Sequence, residues 1–185
     1  MPNESYIPNE RIKVYVNKVE QTTKGPQIFV SRTHPNLLKR LFEEEVPEIF
    51  DGTVEVMSVA REAGERSKIS VFAKNEDVDA VGSCVGARGA RVEAIVDELN
   101  GEKIDIVLWD EDPKVFVRNA LSPSQVVSVK VDEDNKSTVV VVPDHQLSLA
   151  IGKKGQNARL AAKLTGWKID IKSETDAKEA GISND

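Results

Sequence analysis

The sequence predicts an α+β protein in which one small unit, a three-stranded sheet packed on helices, is built twice. A glycine turn lies between amphipathic segments at Gly86-Ala87-Arg88-Gly89, and another lies sixty-six residues on at Gly152-Lys153-Lys154-Gly155. Each turn is followed by a helical pattern, a glycine and a matching strand, Lys103-Ile104-Asp105-Ile106 and Lys168-Ile169-Asp170-Ile171. A helical pattern and two β-rich runs precede each turn, so both copies read helix, strand, strand, helix, glycine turn, helix, strand. Two surface turns do not share that whole context by chance. The shared order is an internal duplication.

The elements follow in chain order. Residues 1–10 are polar with two prolines and are expected to be irregular. Residues 11–19 alternate as a strand, 21–26 form a turn, and 27–31 form a second strand. Two strands alone do not bury a core. Pro35 opens a helix with Leu38, Leu41, Phe42 and Val46 on one side and Glu43-Glu44-Glu45 on its solvated face. Pro47 breaks it, and Asp51-Gly52 closes the segment. Strands are expected at 53–59 and 68–73, joined by the polar loop Arg61–Arg66.

Val78, Val81 and Val85 mark a short apolar turn before the first glycine loop. Val92, Ile95, Val96 and Leu99 follow it at helical spacing, and Asn100-Gly101 ends that helix. A strand runs from Lys103 to Trp109. Asp110-Glu111-Asp112-Pro113 is a helix start, with acidic residues ahead of a first-turn proline. That helix stops at Ser122-Pro123. Strands at 126–131 and 138–142 flank the turn 132–135. Pro143-Asp144 predicts another start, with the Asp144 side chain as cap, and the short helix must stop at Gly152. The next begins near Gln156 and ends at Gly166, where a left-handed residue is usual. A strand at 167–172 completes the second copy. From Ser173 the composition turns polar, and a frayed tail is expected.

A length of 185 residues bounds the chain to one to three small domains. No apolar run is long enough to span a bilayer and no signal-peptide pattern is present, so no membrane partner is expected. Cys84 is the sole cysteine, so no internal disulfide forms, which fits a reducing cytoplasm. The formal net charge is −6, which counts against non-specific duplex binding. Yet residues 145–168 hold five basic side chains (Lys153, Lys154, Arg159, Lys163, Lys168) and no acidic one. An acidic chain that keeps one stretch free of carboxylates reserves it for an anion. Aromatic residues make up only 5%, which counts against modules that stack bases on an aromatic sheet face.

The glycine turns supply the anion chemistry. Glycine permits positive φ and close backbone approach, and the helix after each turn offers free N–H groups and a positive dipole end. Metal-protease, C-x-x-C and P-loop patterns are absent. His34 and His145 sit at expected helix caps, and Cys84 has no evident base. The chain therefore does not read as an enzyme, and no cofactor or metal is expected.

The pattern V/I-G-x-x-G at Val85–Gly89 and Ile151–Gly155, in this element order, resembles tandem type II (prokaryotic) KH domains. With GKKGQNARLAAKLTGWKIDI in the second copy, the chain closely resembles the NusA family of transcription termination and antitermination factors. The resemblance implies this partition: 1–34, the C-terminal part of an OB-fold domain, incomplete here and represented by a β hairpin; 35–121, a first KH domain with preceding and linking helices; 122–175, a second; 176–185, a polar tail. It implies single-stranded RNA, a nascent transcript, as ligand, with about four nucleotides held per groove. The RNA-binding residues it implies are Val85, Gly86, Ala87, Arg88, Gly89 and Arg91 in the first copy. In the second they are Ile151, Gly152, Lys153, Lys154, Gly155 and Arg159. Arg91 and Arg159 can equally be solvated helix faces. RNA polymerase and other antitermination factors are partners of that family, but its polymerase-holding N-terminal domain is not in this sequence. A monomer in the cytoplasm is expected. One rival reading is an RNA-binding accessory module of a ribonuclease such as polynucleotide phosphorylase, against which stand the domain order and the presence of two KH copies. The other is a protein-interaction module in which one KH copy, the first with its single loop arginine, does not bind RNA.

Overall fold

The computed structural model describes residues 1–182. Strands β1 (Tyr15–Thr22) and β2 (Gly25–Ser31) form an antiparallel hairpin. β1 starts at Tyr15 rather than residue 11 because the Lys13 carbonyl is taken by Arg32 Nη1 at 2.8 Å. The same guanidinium donates to the Glu4 carboxylate and to the side chain and carbonyl of Glu98. The expected irregular start is therefore tied to the first unit. Hydrogen bonds from Arg32 hold the Glu4 carboxyl down at about 2. Val16, Val19, Ile28, Phe29 and Val30 of the hairpin stay exposed.

In the first unit, α1 (Pro35–Glu45) starts on His34, whose Nδ1 accepts the Asn36 amide at 3.0 Å. Leu38, Leu41, Phe42 and Val46 are buried as the periodicity requires. A short α2 (Pro47–Phe50) leads into β3 (Glu55–Glu62) and β4 (Arg66–Phe72). Then come α3 (Ala80–Val85), α4 (Ala90–Glu98) and β5 (Lys103–Leu108). The sheet order is β3-β4-β5, with β4 antiparallel to β3 and parallel to β5. The expected loop 61–66 shrinks to the turn 63–65. Arg61 and Glu102 form a fully buried ion pair, and Glu102 also accepts the Gly64 amide at 2.6 Å and the Ser67 hydroxyl at 2.9 Å. A buried charge persists only when paired and hydrogen-bonded, and here the pairing pins the end of the β3–β4 hairpin to the start of β5.

The second unit repeats this and begins before the expected boundary at 121, because Phe116, Val117 and Ala120 of the expected linking helix are buried in the second core. Asp112 caps α5 (Pro113–Ala120) by accepting the Lys114 amide at 2.9 Å. β6 (Ser128–Asp132), β7 (Ser137–Val142), α6 (Leu147–Ile151), α7 (Gln156–Thr165) and β8 (Lys168–Ser173) follow. The sheet order β6-β7-β8 has the same pairing senses as the first. Two expectations are corrected. Asp144 caps nothing locally, because its carboxylate accepts the Thr175 amide and hydroxyl. The polar stretch after Ser173 is not frayed there: it forms α8 (Glu174–Glu179), capped by Ser173 and seated on the buried Ala177. The last three residues of the expected tail lie outside the described ones.

The sequence predicts helices on one face of each sheet. In the first unit the opposite face is covered too, by the second unit. Ser58, Ala60 and Glu62 alternate along β3, and this row lies along α7. The Ser58 hydroxyl donates to the Leu164 carbonyl at 2.9 Å, Ala60 joins the core of the second unit, and Glu62 meets Gln156 and Arg159. On the same face, Val107 enters the second core and the fully buried Lys68 donates to Asp105 and to the Ser122 carbonyl. Burial pushes the Lys68 ammonium below its ordinary range, with Asp105 opposing. The two units thus share packed surface and are not beads on a linker.

Candidate nucleic-acid interface

Both glycine turns adopt one backbone conformation. The first glycines, Gly86 and Gly152, have φ/ψ of 76/174° and 79/168°. Arg88 and Lys154, at the third position, are left-handed at 54/28° and 55/28°. Gly89 and Gly155 follow at 80/6° and 74/14°. Each turn is closed by its last glycine amide donating to the carbonyl of its first, at 3.2 Å and 3.1 Å. In each turn the first, third and fourth residues have positive φ, and glycine holds the first and fourth because an L side chain in such sparsely populated regions costs on the order of 1–3 kcal/mol.

The glycines differ in what surrounds them. A Cβ on Gly152 would lie 2.7 Å from the Asn157 backbone nitrogen, and one on Gly86 would lie 2.6 Å from Arg91 Cγ. The first glycine of each turn is therefore demanded from inside, by the helix that follows. Gly155 has only Arg159 Nη1 nearby at 3.9 Å, so there φ alone demands glycine. Ala87, Arg88, Lys153 and Lys154 at the tips are exposed. Among the described residues no acceptor of the chain meets the amides of these four. Apolar surface flanks the turns: Val85 is half-buried, and Ile151 and Leu149 are exposed.

Arg91 and Arg159 are not free arms. Arg91 Nη1 bonds Glu48 Oε2 at 2.8 Å and the Ser83 carbonyl at 2.6 Å, clasping α3 to α4 within the first unit. Its counterpart in the repeat is Asn157, whose amide donates to the carbonyls of Ala150 and Leu121 at 2.9 Å and 3.1 Å. The counterpart of Arg159 is Glu93. A Cβ on Gly89 would approach Glu93 Oε1 at 3.4 Å, so the first turn has a carboxylate where the second has a guanidinium. Arg159 bonds the Lys154 carbonyl at 3.0 Å and Glu62 Oε1 at 2.6 Å. Hydrogen bonding from Arg159 lowers the Glu62 pKa below the ordinary carboxylate range, and Glu62 in turn raises that of Arg159.

Glu62, Glu65 and Gln156 are residues that sequence reasoning missed. Gln156 Nε2 donates to Glu62 Oε2 and Glu65 Oε2, both at 2.8 Å, so carboxylates of the first unit hold the first turn of α7. A cleft of about 360 Å³ opens beside this contact, and its walls include Arg66, Lys103, Leu149, Lys153 and Gln156. Cys84 is fully buried, and burial pushes its thiol up to about 12, which removes it from nucleophilic chemistry at neutral pH. His145 lies exposed without the expected capping role. Among the described residues no cluster of His, Cys, Asp or Glu is arranged to hold a metal ion, and no helix is long and apolar enough to cross a membrane.

Comparison with known families matches the two stretches that contain the turns. Residues 32–109 match the NusA-like first KH domain, and residues 113–179 match the NusA-like second KH domain. The chain belongs to the NusA-like tandem KH family. The transcription termination/antitermination protein NusA of Bacillus subtilis is 75% identical over 182 residues, which is 98% of this chain and 49% of that protein. NusA of Mycobacterium tuberculosis is 54% identical over 182 residues, covering 98% and 52% respectively. NusA of Thermus thermophilus is 52% identical over 184 residues, covering 100% and 46%. The chain thus spans about half the length of the curated NusA relatives it matches. The crystal structure of APE1850 shares the fold, with TM-score 0.51 and 23% identity over 73% of this chain and 95% of that one.

Proposed function

We propose that this chain binds single-stranded RNA along its two KH units and serves, within a NusA-like transcription elongation factor, in pausing, termination and antitermination. The observation that carries this is the repeated turn. Twice the chain presents outward amides on a glycine-opened backbone, and twice it places apolar surface beside them. The amides of Ala87, Arg88, Lys153 and Lys154 take phosphate oxygens, and Arg88, Lys153 and Lys154 add charge. Val85 and Ile151 form the aliphatic floor on which bases lie. Base edges at that floor give sequence preference, while the lysines give affinity without it.

Tandem sites raise affinity through effective concentration. The packed interface between the units strengthens this, because binding at one groove then orders no flexible linker. The nascent transcript is the ligand we assign. RNA polymerase and other antitermination factors are the partners this reading implies, for a non-enzymatic monomer in the cytoplasm. Two NusA-like units in tandem favour this reading over a ribonuclease accessory module.

The test is Lys153→Asp with Lys154→Asp, titrated with labelled single-stranded RNA. The fold is kept, because both side chains are solvated. Affinity drops on the order of a hundredfold, roughly tenfold for each reversed charge, and the salt slope falls by about 0.7 per lost phosphate contact. Binding equal to the parent at moderate salt would remove the second turn from the site.

A further inference from the structure

The contact between Glu62 and the second turn crosses the boundary between the units, and its geometry is one-directional. Arg159 has its guanidinium between two acceptors. One is the Lys154 carbonyl at the tip of the turn (3.0 Å), and the other is the Glu62 carboxylate of β3 (2.6 Å). The second Glu62 oxygen takes Gln156 at 2.8 Å, at the first position of α7. Glu62 itself sits on a hairpin end nailed down by the buried Arg61–Glu102 pair. A strand of the first unit therefore holds a carboxylate against a side chain that grips the second turn from behind. Among the described residues the first turn has no such device: Arg91 is paired with Glu48 of its own unit, and Glu93 stands in the place of Arg159.

We infer that Glu62 is a positioning residue for the second phosphate-binding turn, acting through Arg159 and Gln156, so that binding at Gly152–Gly155 depends on the sheet of the first unit. This rests on the RNA-binding reading above. Two consequences separate it from simple electrostatics. A carboxylate at the rim of an anion site repels the anion, so its removal should tighten binding if charge alone matters. As a brace, its removal loosens the turn and weakens binding. Arg159, held by Glu62, serves the brace and not the phosphate.

The experiment uses the full chain and a labelled pool of random-sequence single-stranded RNA about twelve nucleotides long, enough for two grooves of about four each. Glu62→Ala, Arg159→Ala and the double variant are compared with the parent. The expected result is a loss of about threefold to tenfold for either single change and no further loss in the double, the signature of two residues acting as one unit. In the absence of RNA, the amide resonances of Lys153–Gln156 move in both single variants while those of Ala87–Gly89 stay in place. Arg159→Ala, an exposed helix position, folds even if Glu62→Ala does not, and it weakens binding with the salt slope unchanged. Tighter or unchanged binding in Glu62→Ala overturns the inference. So does a salt slope lowered by about 0.7 in Arg159→Ala, which marks a direct phosphate contact. The Lys153→Asp/Lys154→Asp variant runs alongside. If it binds like the parent, the RNA site itself is misplaced. If it loses RNA while Glu62→Ala does not, only the brace falls.

Discussion

The two glycine turns have one backbone and two chemistries. Arg88 and Lys154 agree within a degree in φ and ψ, and the flanking glycines agree within about 8°. Yet the first turn carries Ala87, Arg88 and a neighbouring Glu93, while the second carries Lys153, Lys154 and Arg159. The first is clasped from within its own unit, and the second from across the interface. The shape of the turn is thus a local property of glycine placement. Its charge and its support are set elsewhere in the chain. On the proposed function the second turn carries most of the phosphate affinity, and the first adds length and register.

That contrast can be broken in several ways. The largest expected effect is the twofold charge reversal at Lys153 and Lys154, on the order of a hundredfold. Arg88→Asp in the first turn should cost only about tenfold, one charge against two. Equal losses in the same titration would erase the asymmetry. Next come the glycines. Gly152→Ala meets backbone at 2.7 Å, which cannot yield without moving α7, and Gly86→Ala meets side-chain atoms of Arg91, the nearest Cγ at 2.6 Å. Overpacking costs about 1–3 kcal/mol beyond the positive-φ strain of about 1–3 kcal/mol that both share. Thermal melting should therefore show Gly152→Ala as clearly the more destabilised of the pair. The reverse order would mean that the second turn relaxes more easily than its contacts indicate.

Acid should act on the second turn selectively. The folded pKa of Glu62 is lowered by the hydrogen bond from Arg159. Its stabilising contribution is therefore fully present above the ordinary carboxylate pKa and is lost as pH falls through the lowered value. Amide resonances of Lys153–Gln156 should move on acidification through the range below the ordinary carboxylate pKa, with those of Ala87–Gly89 following a different course. The smallest effect is Glu93→Gln. Removing a solvated carboxylate beside the first turn should tighten RNA binding about twofold, the size of a screened surface charge. A loss there would assign Glu93 a structural task.

Much of this architecture is readable along the chain because it is local. Helix starts at His34 and Asp112 act through side chains within two residues of the amides they cap. The glycine turns announce themselves by spacing, and the strands by alternation. What stayed hidden depends on residues far apart. Glu62 and Arg159 are ninety-seven positions apart. Glu62 and Glu65 fall in a stretch that looks like a polar loop until the buried Glu102 closes it. Ser58, Ser70 and Lys68 have the polarity of a solvent face, and only tertiary packing shows that the second unit covers them. Asp144 was a plausible cap that found a better partner in Thr175, and the same contact orders the start of the tail.

The central claim is that the two turns grip phosphate through their backbones. The direct measurement is a titration of the labelled chain with single-stranded RNA, following the amide resonances of Ala87, Arg88, Lys153 and Lys154. All four should shift, with the pair in the second turn saturating at lower RNA concentration. Shifts confined to the exposed β1–β2 hairpin, with these four amides unmoved at saturation, would contradict it.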